Sequence, residues 1–494
     1  MVSYGTIQPS SEKATALSLK KAVLLQKLSH PIVLVLLVLG AAGCAVGVAL
    51  YGLKVGILML AALFGLPIVA GVVINQRFGV VVVLVFAYLL MWALRLGVNF
   101  PLGTLMDGLQ ALLILGFFMQ QKRKSTWSLF RSPIAYAILA WVIYNFLQIA
   151  NPTAESRLAW VYTIRSTAIV MLMYFIFVQN IRTVQFIRVI LKIWLALSFF
   201  AALYAFKQEH FGFFQFEENW LNSDPLIRDL LFIDGHWREF SIFSDPVAFA
   251  YNMAVSSILC IALITGPLAL KKKIVLGFCA GFFLLNMLYS GTRGAYVLVP
   301  AALFLMLLLK FNKRMLFFGI IAGLFIGFLI VVPTSNPNIV RFQTAFKPSD
   351  DPSFNVRKIN QKRIQPFILS HPLGGGLGAT GVWGKRFAPG SMLANFPPDS
   401  GYVRVAVEMG WIGLFLLCLL MFIILKSGIN HYFSIQDKEL QTYCLAATLM
   451  VFAFHIGNYP QEAIVQFPSN IYFYLCVALI TLTKQLDGKA NAAG

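Results

Sequence analysis

The sequence predicts an all-α polytopic membrane protein of about fourteen transmembrane helices, with both termini cytoplasmic. Three observations predict it. Hydrophobic residues make up 59% of the 494 positions and charged residues 12%, a balance outside the soluble range. The apolar residues come in runs of about 20, enough to cross a bilayer, with neither a heptad nor a glycine period. Basic residues then collect in every second connection between those runs. Disordered, collagen-like, coiled-coil and disulfide-stapled secreted chains are excluded together.

The runs fall at roughly 32–52, 54–74, 78–98, 102–120, 133–150, 163–180, 186–206, 246–266, 272–290, 294–310, 314–333, 402–425, 439–457 and 466–483. With the N-terminus inside, beside Lys13, Lys20, Lys21 and Lys27, the alternate loops carry Arg77, then Lys122 to Lys124 and Arg131, then Arg182 and Arg188. Lys271 to Lys273, then Lys310, Lys313 and Arg314, then Lys426 and Lys438, and finally Lys484 and Lys489 continue the pattern. The excess of 39 Lys and Arg over 19 Asp and Glu is therefore a topology signal, and no nucleic-acid partner is read from it. Cys44, Cys260, Cys279, Cys418, Cys444 and Cys476 all lie in apolar runs without a Cys-x-x-Cys pair, so they are expected as buried thiols. The histidines are scattered, no metal-ligand spacing occurs, and no metal site is expected. The basic N-terminal stretch runs into a long apolar segment from about Ile32 without a small-residue cleavage site, so it does not read as a cleaved signal.

The chain divides into a cytoplasmic N-terminal segment (1–31), N-terminal transmembrane helices (32–206), an extracytoplasmic loop (207–245), helices carrying a Ser-Gly-Thr-Arg-Gly motif (246–333), a large loop (334–401), C-terminal helices (402–483) and a cytoplasmic tail (484–494). The first long loop mixes acids, bases, Phe and Trp, which suits a folded lid. The second is cationic on the translocated side, against the orientation bias, and this points to function. Within it, 354–369 reads as an amphipathic helix able to lie on a bilayer surface despite Pro366. A glycine-rich turn, His371 to Gly378, follows, where backbone can approach a ligand closely or simply bend.

Arg293, flanked by glycines at the outer join of two spans, has the guanidinium geometry to hold a phosphate or carboxylate; the competing reading is snorkelling to headgroups. Asp399 stands just before a helix, where a carboxylate by itself is most often an N-cap. Arg404 and Glu408 are four apart, the spacing of an intramembrane ion pair.

Taken jointly, Ser290-Gly-Thr-Arg293-Gly, then Arg357 and His371-Pro-Leu-Gly-Gly-Gly-Leu-Gly, then Asp399 leading to Glu408-Met-Gly410-Trp-Ile-Gly413, resemble the O-antigen ligase and polymerase superfamily. The resemblance covers about residues 240–425. Ligases of that family usually have histidine before the Glu-x-Gly helix. Asp399 stands there instead, with the aspartate-to-glutamate spacing of the distantly similar SEDS cell-wall polymerases.

The resemblance implies a GT-C-like glycosyltransferase architecture, a bacterial inner membrane, and an active site in the large loop on the periplasmic side. The implied reaction is polymerisation of undecaprenyl-pyrophosphate-linked oligosaccharide units into O-antigen or exopolysaccharide. It would be inverting and metal-independent, with no cofactor. Its partners would be the lipid-linked donor, a glycan acceptor, membrane lipids and a chain-length regulator. Asp399 is then the base, and Arg293 and Arg357 the catalytic cations holding the pyrophosphate. Arg363, Arg386 and Arg404 are further pyrophosphate candidates; His371, Glu408 and Tyr402 are glycan or structural contacts, and His455, Asn458 and Glu462 are candidates to line the same cavity. Trp237 and Trp383 are weighed as sugar platforms against ordinary interface aromatics. Two alternatives stand beside the polymerase: a ligase handing the glycan to lipid A core or protein, and a lipid-linked oligosaccharide flippase, which would need broken midplane helices.

Overall fold

The computed structural model describes residues 31–51, 65, 67–96, 102–123, 125–233, 235–346 and 352–493, in two compact units, 1–71 and 72–494. In the first unit, helix α1 spans Pro31–Tyr51. The expected span 54–74 and the basic segment before residue 31 fall largely or wholly outside the described residues.

In the second unit, helices α2 (Gln76–Arg95), α3 (Leu102–Arg123), α4 (Pro133–Leu147), α5 (Arg157–Asn180) and α6 (Val184–Phe211) precede the first long loop. That loop folds as α7 (Gln215–Leu221), α8 (Pro225–Leu231) and a hairpin pairing β1 (Phe232–Ile233) antiparallel with β2 (His236–Trp237). Helices α9 (Pro246–Ile264), α10 (Leu270–Tyr289), α11 (Arg293–Leu309) and α12 (Lys313–Val331) follow. The second loop carries α13 (Pro337–Thr344), α14 (Pro352–Ser370) and α15 (Gly381–Phe387), before α16 (Gly401–Ser434), α17 (Lys438–Gly457) and α18 (Ser469–Ala493).

Among the described residues nine helices are long and apolar enough to cross a membrane, with shorter apolar helices at Val38–Leu50, Arg293–Leu309 and Gly319–Val331. The chain is a multi-pass membrane protein. Each expected span apart from 54–74 coincides with a described helix. The tail does not separate from the last one, because α18 continues to Ala493.

The helix starts are written in the sequence. Ser132, Asp224 and Asp245 each precede a proline at the first helical position, and each accepts a backbone N–H with its side chain. Proline has no N–H to lose there, and the capping oxygen satisfies one that would otherwise be orphaned. Helix α9 is the axis of the bundle, with 83% of its apolar window buried, and it packs against α10 and α17. Small polar side chains bind the interior. Tyr88 Oη and Ser198 Oγ lie 2.7 Å apart, Ser198 Oγ is 2.8 Å from Ser256 Oγ, and Trp194 Nε1 donates to Ser256 at 3.2 Å. Such contacts hold membrane helices together where apolar side chains gain little over lipid.

The cysteines follow expectation in part. Cys260, Cys444 and Cys476 are buried, Cys279 is half-buried and Cys418 is exposed.

Candidate active site

Two cavities open at the ends of the helices that carry the motifs, either side of residues 456–466. The first, about 580 Å³, is lined by the lid residues Trp220, Ile227, Leu230 and Arg238, by Asp245 at the start of α9, and by Ser166, Thr167, Asp399, Arg404, Gln461, Glu462 and Gln466. The second, about 710 Å³, is lined by Arg293, Arg357, Tyr402 and His455 together with apolar Val297, Phe354, Leu414 and Ile456. The sequence-predicted catalytic trio is thus divided, with Arg293 and Arg357 in one cavity and Asp399 in its neighbour. The border runs through residues 398–404 and 459–462, which supply wall to both.

Asp399 does not cap α16. Ser400 holds the N-cap position and makes no side-chain capping bond, while Asp399 has only its backbone N–H engaged, to Pro397 O at 3.0 Å. That bond closes a tight turn over Pro398, and the helix begins at Gly401, one residue later than a cap at Asp399 requires. Its carboxylate is half-buried and makes no hydrogen bond or ion pair among the described residues. The other acids in this wall are occupied. Asp245 accepts from Val247 N, Ala248 N, Ser244 Oγ and Gln466 Nε2. Glu462 takes Arg404 Nη1 at 2.5 Å, and Arg404 Nε donates to Glu408 at 3.2 Å. Burial pushes the Glu462 carboxyl up, Arg404 pulls it back, and Glu408 and Asp399 add to the rise.

The expected Arg404–Glu408 pair is therefore present, extended by Glu462. It occupies Arg404, which leaves it poorly placed to take pyrophosphate. Glu408 is 2% exposed and also accepts Thr380 N and Thr380 Oγ1, tying the large loop to α16.

The glycine-rich turn approaches protein backbone. Gly375 N donates to Val407 O at 2.8 Å and Gly376 N to Glu408 O at 2.9 Å. Opposite them, α16 breaks at Gly410, with φ 70° and ψ −176°, and a Cβ there would collide with Pro372 O. The two glycine motifs are one interlocking joint. His371 belongs to it, stacked on Phe367 at 4.0 Å with Nδ1 against Phe367 O, and it lines neither cavity.

Arg363 and Arg386 are exposed and line neither cavity. Tyr402 Oη meets His455 Nδ1 at 2.6 Å in the wall of the arginine cavity. Trp383 stacks on Tyr162 at 4.7 Å and Trp237 packs edge-on to Phe213, so neither faces a cavity. Helix α14 forms as expected. It buries Ile364 against Leu393, Phe396 and Val407 and leaves Val356, Ile359 and Leu369 exposed.

Sequence reasoning missed Arg238. Its guanidinium donates to Ser290 O at 3.1 Å, Thr292 Oγ1 at 3.1 Å and Leu230 O at 3.3 Å, so it clamps the lid onto the Ser290–Arg293 loop. Burial lowers it to about 10, and Arg341 and Arg293 push the same way, yet it stays charged at neutral pH. A π-helical turn at Arg165–Ile169 was equally invisible. It widens α5 and places Ser166 and Thr167 in the first cavity.

Residues 278–418 match the family model described as O-Antigen ligase. The match supports the O-antigen ligase and polymerase superfamily and takes in Ser290–Arg293, Arg357, His371–Gly378, Asp399 and Glu408–Gly413. No curated protein matches the chain.

Proposed function

We propose, from the family match across 278–418 and the chemistry of the two cavities, that this chain is a membrane glycosyltransferase that polymerises a polyprenyl-diphosphate-linked glycan on the outer side of a bacterial inner membrane. One observation carries the mechanism. A carboxylate without a partner among the described residues, Asp399, stands at the border of a cavity that holds two arginines and an apolar wall.

A diphosphate lipid needs cations for its head and apolar surface for its tail. Arg293 and Arg357 supply the first, Val297, Leu414 and Ile456 the second. In the transfer, an acceptor hydroxyl oxygen forms a bond to the anomeric carbon while the bond from that carbon to the diphosphate oxygen breaks. The hydroxyl proton passes to Asp399, and the electron pair leaves with the diphosphate, whose growing charge the guanidiniums stabilise. Aspartate at the position where ligases of the superfamily have histidine favours another repeat unit as acceptor. The family description itself, O-Antigen ligase, favours the ligase.

The test is purified protein in detergent with undecaprenyl-pyrophosphate oligosaccharide, with products resolved by size. A ladder at repeat-unit spacing, reduced about 10²- to 10⁴-fold in Asp399→Asn, is the expected result. Single transfer that appears only when lipid A core is added would replace the polymerase with the ligase. Wild-type turnover in Asp399→Asn would remove the base assignment, and no product with either acceptor would leave the flippase.

A further inference from the structure

We propose that the 580 Å³ cavity is the acceptor-sugar site, taking the uncharged end of a glycan and holding its hydroxyl against Asp399. This rests on the glycosyltransferase reading and adds to it which of the two substrates each cavity takes.

The division follows from charge that is already spent. Among the described residues the charged groups of the arginine cavity are guanidiniums, so it suits an anion. In the 580 Å³ cavity Asp245 is satisfied by its capping bonds and by Gln466, and Glu462 by Arg404. Three ionic groups in its wall, Asp245, Arg238 and Asp399, have no ion-pair partner among the described residues; Asp245 is held by those hydrogen bonds and Arg238 by three of its own, which leave it two further N–H donors, while the Asp399 carboxylate has none. A diphosphate there would face three carboxylates, Asp245, Asp399 and Glu462. A sugar offers what the wall lacks: hydroxyl donors for Asp399 and acceptor oxygens for Arg238.

The remaining surface fits the same ligand. Ser166 and Thr167, nine residues into α5 (166 − 157 = 9) and roughly 14 Å along its axis, add hydroxyls to the cavity wall that can exchange hydrogen bonds with a sugar. Trp220 forms one side. Its ring is fixed by the Arg95 guanidinium at 4.5 Å and by Phe240 edge-on at 5.1 Å, giving a rigid apolar wall against which the C–H face of a sugar ring can pack. The volume lies within the roughly 300–1,000 Å³ of small-molecule sites. The lid supplies Trp220 and Arg238, so acceptor choice resides in 212–245, outside the segment matched by the family model.

The experiment uses full-length protein in detergent. Its probe is the repeat-unit oligosaccharide released from the host's lipid extract by mild acid and freed of lipid. Binding of this glycan without donor is measured by calorimetry, and turnover is measured against donor and acceptor separately. Trp220→Ala should weaken glycan binding and raise the acceptor KM about tenfold while the donor KM stays within about twofold; Trp220→Phe should restore both. Arg357→Ala should instead raise the donor KM by about 10²-fold and leave glycan binding and the acceptor KM within about twofold, which also shows that the fold tolerates change at this end. If Trp220→Ala binds glycan as wild type does while turning over, the acceptor site is elsewhere and the transferase reading stands. The proposal also falls if the variant loses donor and not acceptor. Wild-type protein that binds no glycan and forms no product would sink the proposal and the transferase reading together.

Discussion

At the scale of single residues, the site sets an arginine locked between two carboxylates apart from arginines that line a cavity. Arg404 lies between two carboxylates, and its loss would strand Glu408 and Glu462 in a buried wall, so Arg404→Ala should damage the fold. Arg293 and Arg357 line a cavity, and their loss should be felt by the donor. Alanine at either is expected to raise the donor KM and to lower kcat, each by about 10²-fold, with an unchanged detergent melting temperature. A melting point that falls with activity would make them structural. Asp399 was legible because motif spacing singles it out, although its ordinary role as a cap had to be eliminated by geometry. Trp220 and Arg238 were not legible. They sit among mixed acids, bases and aromatics without period or motif, and only folding brings them to the motif loop.

At the scale of elements, apolar runs announced the helices and most of their starts to within a few residues, since water expulsion is local in sequence, while α16 and α18 run on to Ser434 and Ala493, well past the expected ends at 425 and 483. The departures from regular helix were silent. The π-helical turn of α5 and the break at Gly410 both lie inside expected spans, and although polar residues stand there, Arg165 to Thr167 in one and Arg404 and Glu408 in the other, hydropathy does not tell a bend from a straight helix. The break can be tested directly. Gly410 has a positive φ, and its Cβ position is taken by Pro372 O and lies within 2.7 Å of Gly374 N. Gly410→Ala therefore has to adopt a left-handed conformation and displace the glycine-rich turn, a cost on the order of 1–3 kcal/mol or more. Hydrogen exchange should rise along 371–380 and transfer should fall, although Gly410 lines neither cavity. Unchanged exchange there would mean that the two motifs do not depend on one another.

At the scale of the whole molecule, the lid joins the 580 Å³ cavity to the bundle, and it holds a buried acid. Glu239 is 2% exposed, and its Oε2 has no hydrogen-bond partner, whereas Glu217 beside it accepts Gln208 Nε2 and Phe214 N. Burial pushes Glu239 up to about 9, Glu209 and Glu217 add to the rise, and Lys207 opposes it. An acid whose pKa is raised in the closed lid keeps its proton there and loses it when the lid opens. Between the ordinary carboxylate range near 4.5 and about 9, opening thus releases a proton, and each pH unit favours opening by up to about 1.4 kcal/mol. Stability of the closed lid from this group is greatest at the acid end of that window and declines as pH rises through it. Hydrogen exchange over 212–245, corrected for the chemical rate, should therefore accelerate from pH 6 to pH 8.5 in the wild type. In Glu239→Gln, which cannot ionise, the pH dependence should disappear and the lid should be the more protected at pH 8.5. Equal slopes in the two proteins would mean that Glu239 is already ionised beneath the closed lid, and that the lid's hold on Trp220 and Arg238 does not respond to pH.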